Sequence, residues 1–368
     1  MTKYSIAVIG GDGIGPEITQ QAMRIATAAG SMEGVQLDPI DLDASAKRWQ
    51  ETGVALPDEQ LEICLRSDAV YLGAIGLPEA RHPDGREVNG DVILGLRTAL
   101  DLFAGIRPAK TYAGVPRALA TSVDIDYVVV RENVEGMFAS RRGGARVGDQ
   151  VVTDTMIITR TGTERVVRRA FELATTRRPL RNGRPSRVTC VDKSNAFESY
   201  AFFRSIFDEV AADFPEIEHD YAYVDAMTTY QVLRPERFDV VVTENLFGDI
   251  LSDLAGATVG GLGLAPSADV GDHHGMFQSA HGSAPDIAGL GLANPTAAVL
   301  SAALMLNWLG TTRQDSGAEA AGNRIDAAVA RVLADQKFLT PDLGGAATTE
   351  QMADALIGAL SAKEGRSS

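Results

Sequence analysis

Short apolar runs that alternate with helical stretches set the first constraint on this chain. Residues 5–9, 69–75, 126–130, 187–192, 220–224 and 238–242 each read as β-strands. The run 69–75 alternates little, which predicts burial on both faces. Helical patterns fall between them: one opens at Pro16 after the Gly10 to Gly15 turn, and another covers 91–103 through Ile93, Leu94, Leu96, Leu100 and Leu102. Two more cover 163–175 and 196–212. Such alternation predicts an α/β architecture with a covered sheet. At 368 residues the chain is long enough for one large domain or two moderate ones. The glycine-rich stretch 143–149 breaks the pattern before a further run at 151–159, and 311–323, rich in Gly, Ala and polar residues, reads as a surface loop. Residues 297–309 are apolar but too few to span a bilayer, contain Asn307, and read as a buried helix. The small, polar tail 361–368 is expected to fray.

The formal net charge of -15 disfavours nucleic-acid and anionic-membrane partners, which reward a positive surface. A few arginines inside a cleft can still make a local site for an anion. Arg141 and Arg142, followed by glycines, read as a solvated loop. Cys64 and Cys190 lie far apart, outside any metal or redox spacing, and predict buried thiols in a reducing, cytoplasmic compartment. Residues 3–9 open a strand rather than a secretory signal.

Four groups of residues could carry chemistry. In Glu244-Asn-Leu-Phe-Gly-Asp-Ile-Leu-Ser-Asp253, a helix from Phe247 puts Asp249 and Asp253 on one face. Their repulsion is relieved either by a hard divalent cation such as Mg²⁺ or by solvent and the dipole of a helix start. Asp225, after a β run, is a candidate third ligand. Arg97 lies on an otherwise apolar helix, with Arg107 and Arg131 at the ends of nearby segments. Each needs an internal salt bridge or an anionic ligand, and three together suggest a dicarboxylate clamp. Lys193 follows a strand, where α/β proteins bind ligands, though alone it also fits an exposed amine. His281-Gly-Ser-Ala-Pro-Asp286 is a turn whose acid could read a ribose. The glycines Gly11, Gly13 and Gly15 lack the spacing of GxGxxG, and no Gly-Lys-Ser/Thr ending follows, so a standard Rossmann site is rejected.

Taken together, these residues resemble the β-decarboxylating dehydrogenases, the isocitrate/isopropylmalate dehydrogenase family that includes the homoisocitrate, tartrate and D-malate enzymes. The matching stretches run in family order: Gly11-Asp-Gly-Ile-Gly-Pro-Glu17, Leu96-Arg97 to Arg107-Pro108, Val130-Arg-Glu-Asn133, Asp192-Lys-Ser-Asn195, Val224-Asp225 and Asn245 to Asp253. His281 to Gly289, Ala293-Asn-Pro-Thr296 and Pro341-Asp-Leu-Gly-Gly345 complete the series.

The resemblance implies a two-domain, isopropylmalate-dehydrogenase-like fold that is not a Rossmann fold. Residues 1–103 and 260–368 would form the larger, cofactor-binding domain, and 104–259 the smaller one with substrate, metal and dimer contacts. It implies a homodimer, or a tetramer, with shared active sites. Arg97, Arg107 and Arg131 would hold the substrate carboxylates. Asp249, Asp253 and, across the dimer, Asp225 would ligate Mg²⁺ or Mn²⁺, and Lys193 would be the catalytic base. Ile14, Asn195, His281, Gly282, Ser283, Ala284, Asp286 and Asn294 fall on cofactor-binding positions, and Asp286 implies NAD over NADP. Gly90, Ile93 and Leu94, seven, four and three positions before Arg97, fall where relatives read the third substituent of a (2R)-malate skeleton. Their apolar character favours 3-isopropylmalate or another 3-alkylmalate, then D-malate or tartrate, with tricarboxylates last. Two positions depart from the pattern. Phe138 stands where the family has a tyrosine that protonates the enol carbon, which raises the alternative of oxidation with impaired decarboxylation. Gln278-Ser279-Ala280 replaces Glu-Pro-Val before His281. Retention of the lysine, arginines and aspartates argues against a non-catalytic, regulatory homologue.

Overall fold

The computed structural model describes residues 1–119, 123–140, 143–177 and 186–361. Arg141, Arg142 and the tail beyond Ser361 lie outside the described residues. The strands are β1 (Thr2–Ile9), β2 (Val35–Leu42), β3 (Ala69–Leu72), β4 (Ala104–Lys110), β5 (Asp126–Glu132), β6 (Arg146–Val147), β7 (Val151–Val152), β8 (Arg187–Asp192), β9 (Glu218–Tyr223), β10 (Val240–Thr243), β11 (Pro266–Val270) and β12 (Gly275–Ser279). Among the described residues, ten of them form one mixed sheet in the order β2-β1-β3-β12-β11-β4-β5-β10-β8-β9. Each flank is parallel, and the antiparallel pairs β12–β11, β11–β4 and β4–β5 join the flanks at the centre.

Alternate side chains of the same strand enter different cores, so both faces are covered. Ile6 and Val8 of β1 pack into one cluster, and Ala7 and Ile9 into another. On the other flank Val128 and Val130 of β5 join the first cluster, while Tyr127 and Val129 join a third. The covering helices are α1 (Gly15–Met32), α2 (Ala46–Thr52), α3 (Asp58–Arg66), α4 (Asn89–Ala99), α5 (Gly136–Ala139), α6 (Arg160–Arg177), α7 (Glu198–Ala211), α8 (Val224–Leu233), α9 (Asn245–Thr258), α10 (Thr296–Arg313), α11 (Ser316–Asp335) and α12 (Thr349–Leu360). The buried α10 accounts for the apolar stretch before Leu309, and among the described residues no helix is long and apolar enough to cross a membrane. Cys64 and Cys190 are buried and free.

Three expectations are corrected. The helix read over 91–103 ends at Ala99; Asp101 takes a left-handed conformation with φ +48°, and Leu102 and Phe103 are buried in the approach to β4. Their apolar spacing reflects two successive elements instead of one helix face. The loop read over 311–323 is mostly helix: a turn with left-handed Gln314 separates α10 from α11, and Asp315 caps α11 by accepting the N–H groups of Gly317 and Ala318. Its small residues serve close helix packing, since a Cβ on Gly322 would lie 2.3 Å from Asn307 Oδ1. Finally, the run 151–159 supplies only β7, an exposed two-residue strand paired with β6.

Candidate active site

The antiparallel centre of the sheet places the arginines. Across β11, β4 and β5, Asp269 pairs with Gly105 and Gly105 with Arg131, so one row of the sheet carries Asp269 and Arg131 on either side of a residue without a side chain. Arg107 is two positions further along β4, and Arg97 reaches in from the last turn of α4. A Cβ on Gly248 would meet the Arg131 side chain at 2.6 Å, so this glycine lets α9 lie against β5 and brings Asp249 onto Arg131 as an ion pair. Glu244 caps α9 by accepting the N–H groups of Leu246 and Phe247.

These elements enclose a cavity of about 250 Å³ lined by Gly90, Ile93, Leu94, Arg97, Arg107, Arg131, Phe138, Asp249 and Asp253, with Ser267 and Gln278 on the strand side. A second cavity of about 660 Å³ shares Gly90, Leu94 and Phe138 with it and extends towards Asp91, Thr98 and Asn133. Three guanidiniums thus meet three carboxylates in one place. Arg97 Nε donates to Asp269 Oδ2 at 2.8 Å and Arg107 Nη2 to Oδ1 at 2.7 Å. The internal salt-bridge reading therefore holds for all three arginines, while their side chains also line the cavity. Burial pushes the Asp269 carboxyl up, but Arg107 and Arg97 outweigh it and hold the group well below the carboxylate range. Burial, reinforced by Arg97, weakens the hold of Arg131 on its proton, and Asp249 restores part of it. The Arg131 guanidinium also lies over the Phe138 ring, 5.3 Å from its centre.

Asp249 and Asp253 share a face of α9, as their spacing predicts. Asp253 has no hydrogen-bond or ion-pair partner among the described residues, and burial followed by the Asp249 charge pushes its carboxyl up. Two hard oxygen donors one turn apart, one of them unpartnered, fit a divalent cation. Among the described residues no third His, Cys, Asp or Glu completes a metal cluster. Asp225, in the first turn of α8, instead accepts a 2.6 Å hydrogen bond from Lys193 Nζ, which lowers its carboxyl, and neither residue lines the arginine cavity. Lys193 follows β8, whose last residue Asp192 is buried and held by the Arg204 guanidinium at 2.6 and 2.9 Å.

The expected cofactor positions divide into two groups. The Ile14 N–H donates to the Ser283 carbonyl at 2.8 Å, and Gly13, at φ +59°, is needed because a Cβ there would stand 2.0 Å from that same oxygen. The glycine-rich turn therefore packs on the His281 to Asp286 loop. His281 Nδ1 donates to the Gly282 carbonyl at 2.9 Å, leaving Nε2 buried with no partner among the described residues. Burial lowers the His281 pKa, so this nitrogen is an open acceptor. Ala284 has φ +38°, Gly282 and Asp286 are exposed, and Asn294 is committed to Asp342 and the Thr296 N–H. Asn195 is exposed beyond Lys193, apart from this loop in the chain.

Sequence reasoning missed Asp269, Asn133 and Asn245. The Asn245 Oδ1 accepts from Arg131 Nε at 3.0 Å and Nη2 at 2.8 Å, and Asn133 Nδ2 donates to Asp269 at 2.9 Å. The available signal was Asp269 itself, a charge between Ala268 and Val270 in an apolar stretch, which demands a buried partner.

Comparison with known proteins gives the family. The chain matches the isocitrate/isopropylmalate dehydrogenase family over residues 5–356. It is 43% identical over 352 residues to the 3-isopropylmalate/3-methylmalate dehydrogenase of Methanocaldococcus jannaschii, covering 95% of this chain and 97% of that protein. It is 45% identical over 335 residues to the 3-isopropylmalate dehydrogenase of Corynebacterium efficiens, covering 89% and 93%. The solved isocitrate dehydrogenase of Methylococcus capsulatus matches with a TM-score of 0.84 at 37% identity, covering 98% and 99%. A β-decarboxylating dehydrogenase of Thermococcus kodakarensis in its apo form matches with a TM-score of 0.77 at 39% identity, covering 97% and 96%. Agreement over nearly the full length of each chain makes this protein an enzyme of the isocitrate/isopropylmalate dehydrogenase family, the β-decarboxylating dehydrogenases.

Proposed function

We propose that the enzyme oxidises and decarboxylates a (2R)-malate-type diacid with NAD and Mg²⁺ or Mn²⁺, and that its substrate is 3-isopropylmalate or another 3-alkylmalate. The observation that carries this reading is the single cavity in which Arg97, Arg107 and Arg131 face Asp249 and Asp253 beside an apolar wall of Ile93 and Leu94. The arginines would orient the two carboxylates. The apolar wall and the adjoining 660 Å³ cavity would receive an alkyl group, each buried methylene contributing about 0.8 kcal/mol.

Asp249, Asp253 and the partner subunit's Asp225 would hold the metal, which when bound would acidify the substrate hydroxyl and stabilise negative charge next to it. Lys193 would take the hydroxyl proton in the site of the neighbouring protomer, because in its own chain it does not line the cavity. The enzyme would therefore be a homodimer or a larger assembly with shared sites. The open His281 Nε2 and the loop to Asp286 would receive the adenosine end of NAD, where the Asp286 carboxylate would accept ribose hydroxyls and repel a 2′-phosphate. The domain division would follow the sheet, with 1–103 and 260–368 in the larger domain and 104–259 in the smaller.

A second reading, D-malate or tartrate oxidation, is favoured by Ser267, a cavity-lining residue whose buried hydroxyl has no partner among the described residues. Specificity constants for 3-isopropylmalate, 3-methylmalate, D-malate, tartrate, isocitrate and homoisocitrate, with NAD and NADP, test the proposal by following reduced cofactor and CO₂ together. An alkylmalate with NAD is expected to lead. Isocitrate or homoisocitrate in first place, or NADP preferred, would overturn it.

A further inference from the structure

Asp269 is the acid around which two of the three arginines are arranged. It has no exposed surface and sits on β11 between Ala268 and Val270. Arg97, Arg107 and Asn133 all donate to its carboxylate. Its cross-strand neighbour is Gly105, and a Cβ there would stand 2.8 Å from Asn133 Oδ1 and 3.2 Å from Arg107 Nη1. The space left by that glycine is therefore taken by the groups that surround Asp269. Arg97 spends only its Nε on this contact, and its two terminal nitrogens have no partner among the described residues while the side chain lines the cavity. Arg107 is more tightly held, because Nη1 also donates to the Ala268 and Ile106 carbonyls.

We infer that Asp269 is a positioning residue that sets the charge accepted by the substrate cavity: it cancels one of the two charges of Arg97 and Arg107, and so selects diacids with an uncharged third substituent over those with a third carboxylate. The inference rests on the diacid reading above and names its selectivity device. A third carboxylate beside Ile93 and Leu94 would find no compensating arginine from residues 81–86. Arg81 there is paired with Glu87 and Arg86 with Asp84, both at 2.7 Å, and neither arginine lines the cavity. Asp269 adds a fixed negative charge behind the arginines, and inside a protein such a charge acts on a ligand with little screening.

The test is equilibrium binding to the full-length protein with Mn²⁺ at pH 8, comparing the dianion methylsuccinate with the trianion tricarballylate by calorimetry. The wild type is expected to favour the dianion. Asp269→Asn and Asp269→Ser, each checked by thermal melting, should shift the ratio of affinities towards the trianion by about tenfold or more, whereas Asp269→Glu should stay near the wild type. A purely structural role would weaken both ligands alike and leave the ratio unmoved, which overturns the inference. Tricarballylate binding to the wild type as tightly as methylsuccinate also overturns it, and this arm needs no variant to fold. Turnover is a separate readout: a wild type that reduces NAD with none of the diacids sinks the dehydrogenase reading, while the binding ratio still decides the role of Asp269.

Discussion

Lys193 Nζ donates to the Asp225 carboxylate across 2.6 Å, yet neither residue lines the cavity where Asp249 and Asp253 meet the three arginines. On the proposed reading, this pair serves the site of a neighbouring protomer, Lys193 as base and Asp225 as third metal ligand. Lys193→Met should keep substrate binding and lose about 10²- to 10⁴-fold in hydride transfer, the usual range for removal of a general base. Mixing denatured Lys193→Met and Asp249→Asn chains and refolding them should recover activity that neither variant has alone, because each mixed dimer would contain one intact site. Stopped-flow NADH formation on the mixture checks this; no recovery would place all catalytic groups of one site in a single chain.

Asp253 gives a cleaner test of the metal than Asp249. Asp249 holds Arg131, so its replacement would disturb that ion pair together with the proposed metal site, whereas Asp253 has no protein partner among the described residues. Asp253→Asn should lower kcat/KM by about 100-fold or more, in line with several kcal/mol of lost charge stabilisation. It should also abolish the rise in melting temperature that Mn²⁺ gives the wild type. Unchanged thermal stabilisation by Mn²⁺ in the variant would place the metal elsewhere.

Phe138 keeps a ring beneath Arg131 but offers no phenolic proton. In D₂O the wild type should reduce NAD and release CO₂ while the enol product takes up deuterium without stereochemical preference in solution. Phe138→Tyr should leave the hydride step within about threefold and make the label at that carbon stereospecific. NMR after prompt enzymatic conversion of the 2-oxo acid to its L-amino acid, whose second stereocentre makes the two positions diastereotopic, reads the difference, and stereospecific labelling by the wild type would show that another group already protonates the enol.

Glu132 gives stability a pH dependence. Burial outweighs the N–H groups of Val134 and Glu135 that its carboxylate accepts, and its pKa is pushed up from 4.5 to about 7. Between those two values the folded chain holds a proton that the unfolded chain has released, so stability falls as pH rises through this window and levels off above it. The local slope approaches about 1.4 kcal/mol per pH unit. Glu132→Gln should lose this slope relative to the wild type, whatever its absolute stability. Urea denaturation at pH 5, 6, 7 and 8 measures both, and parallel curves would refute the assignment.

The sequence by itself determined the elements whose patterns are local. The strands β1, β5, β8 and β10 and the helices α1, α6 and α7 were legible because apolar period and turn chemistry act within a few residues. The face shared by Asp249 and Asp253 follows from helix geometry alone. The motifs around Arg97, Arg131, Lys193 and His281 carried the family for the same reason. Tertiary structure decided what depends on neighbours distant in sequence. Small residues at 311–323 looked like a loop because their function is contact with another helix, as Gly322 against Asn307 shows. β11 and β12 acquired their identity only by pairing with β4 and β3. Arg97 and Asp269 stand 172 positions apart, and no local pattern records that they meet. A buried charge announces that it needs a partner; only the packed sheet, with Gly105 making room at its centre, selects which one.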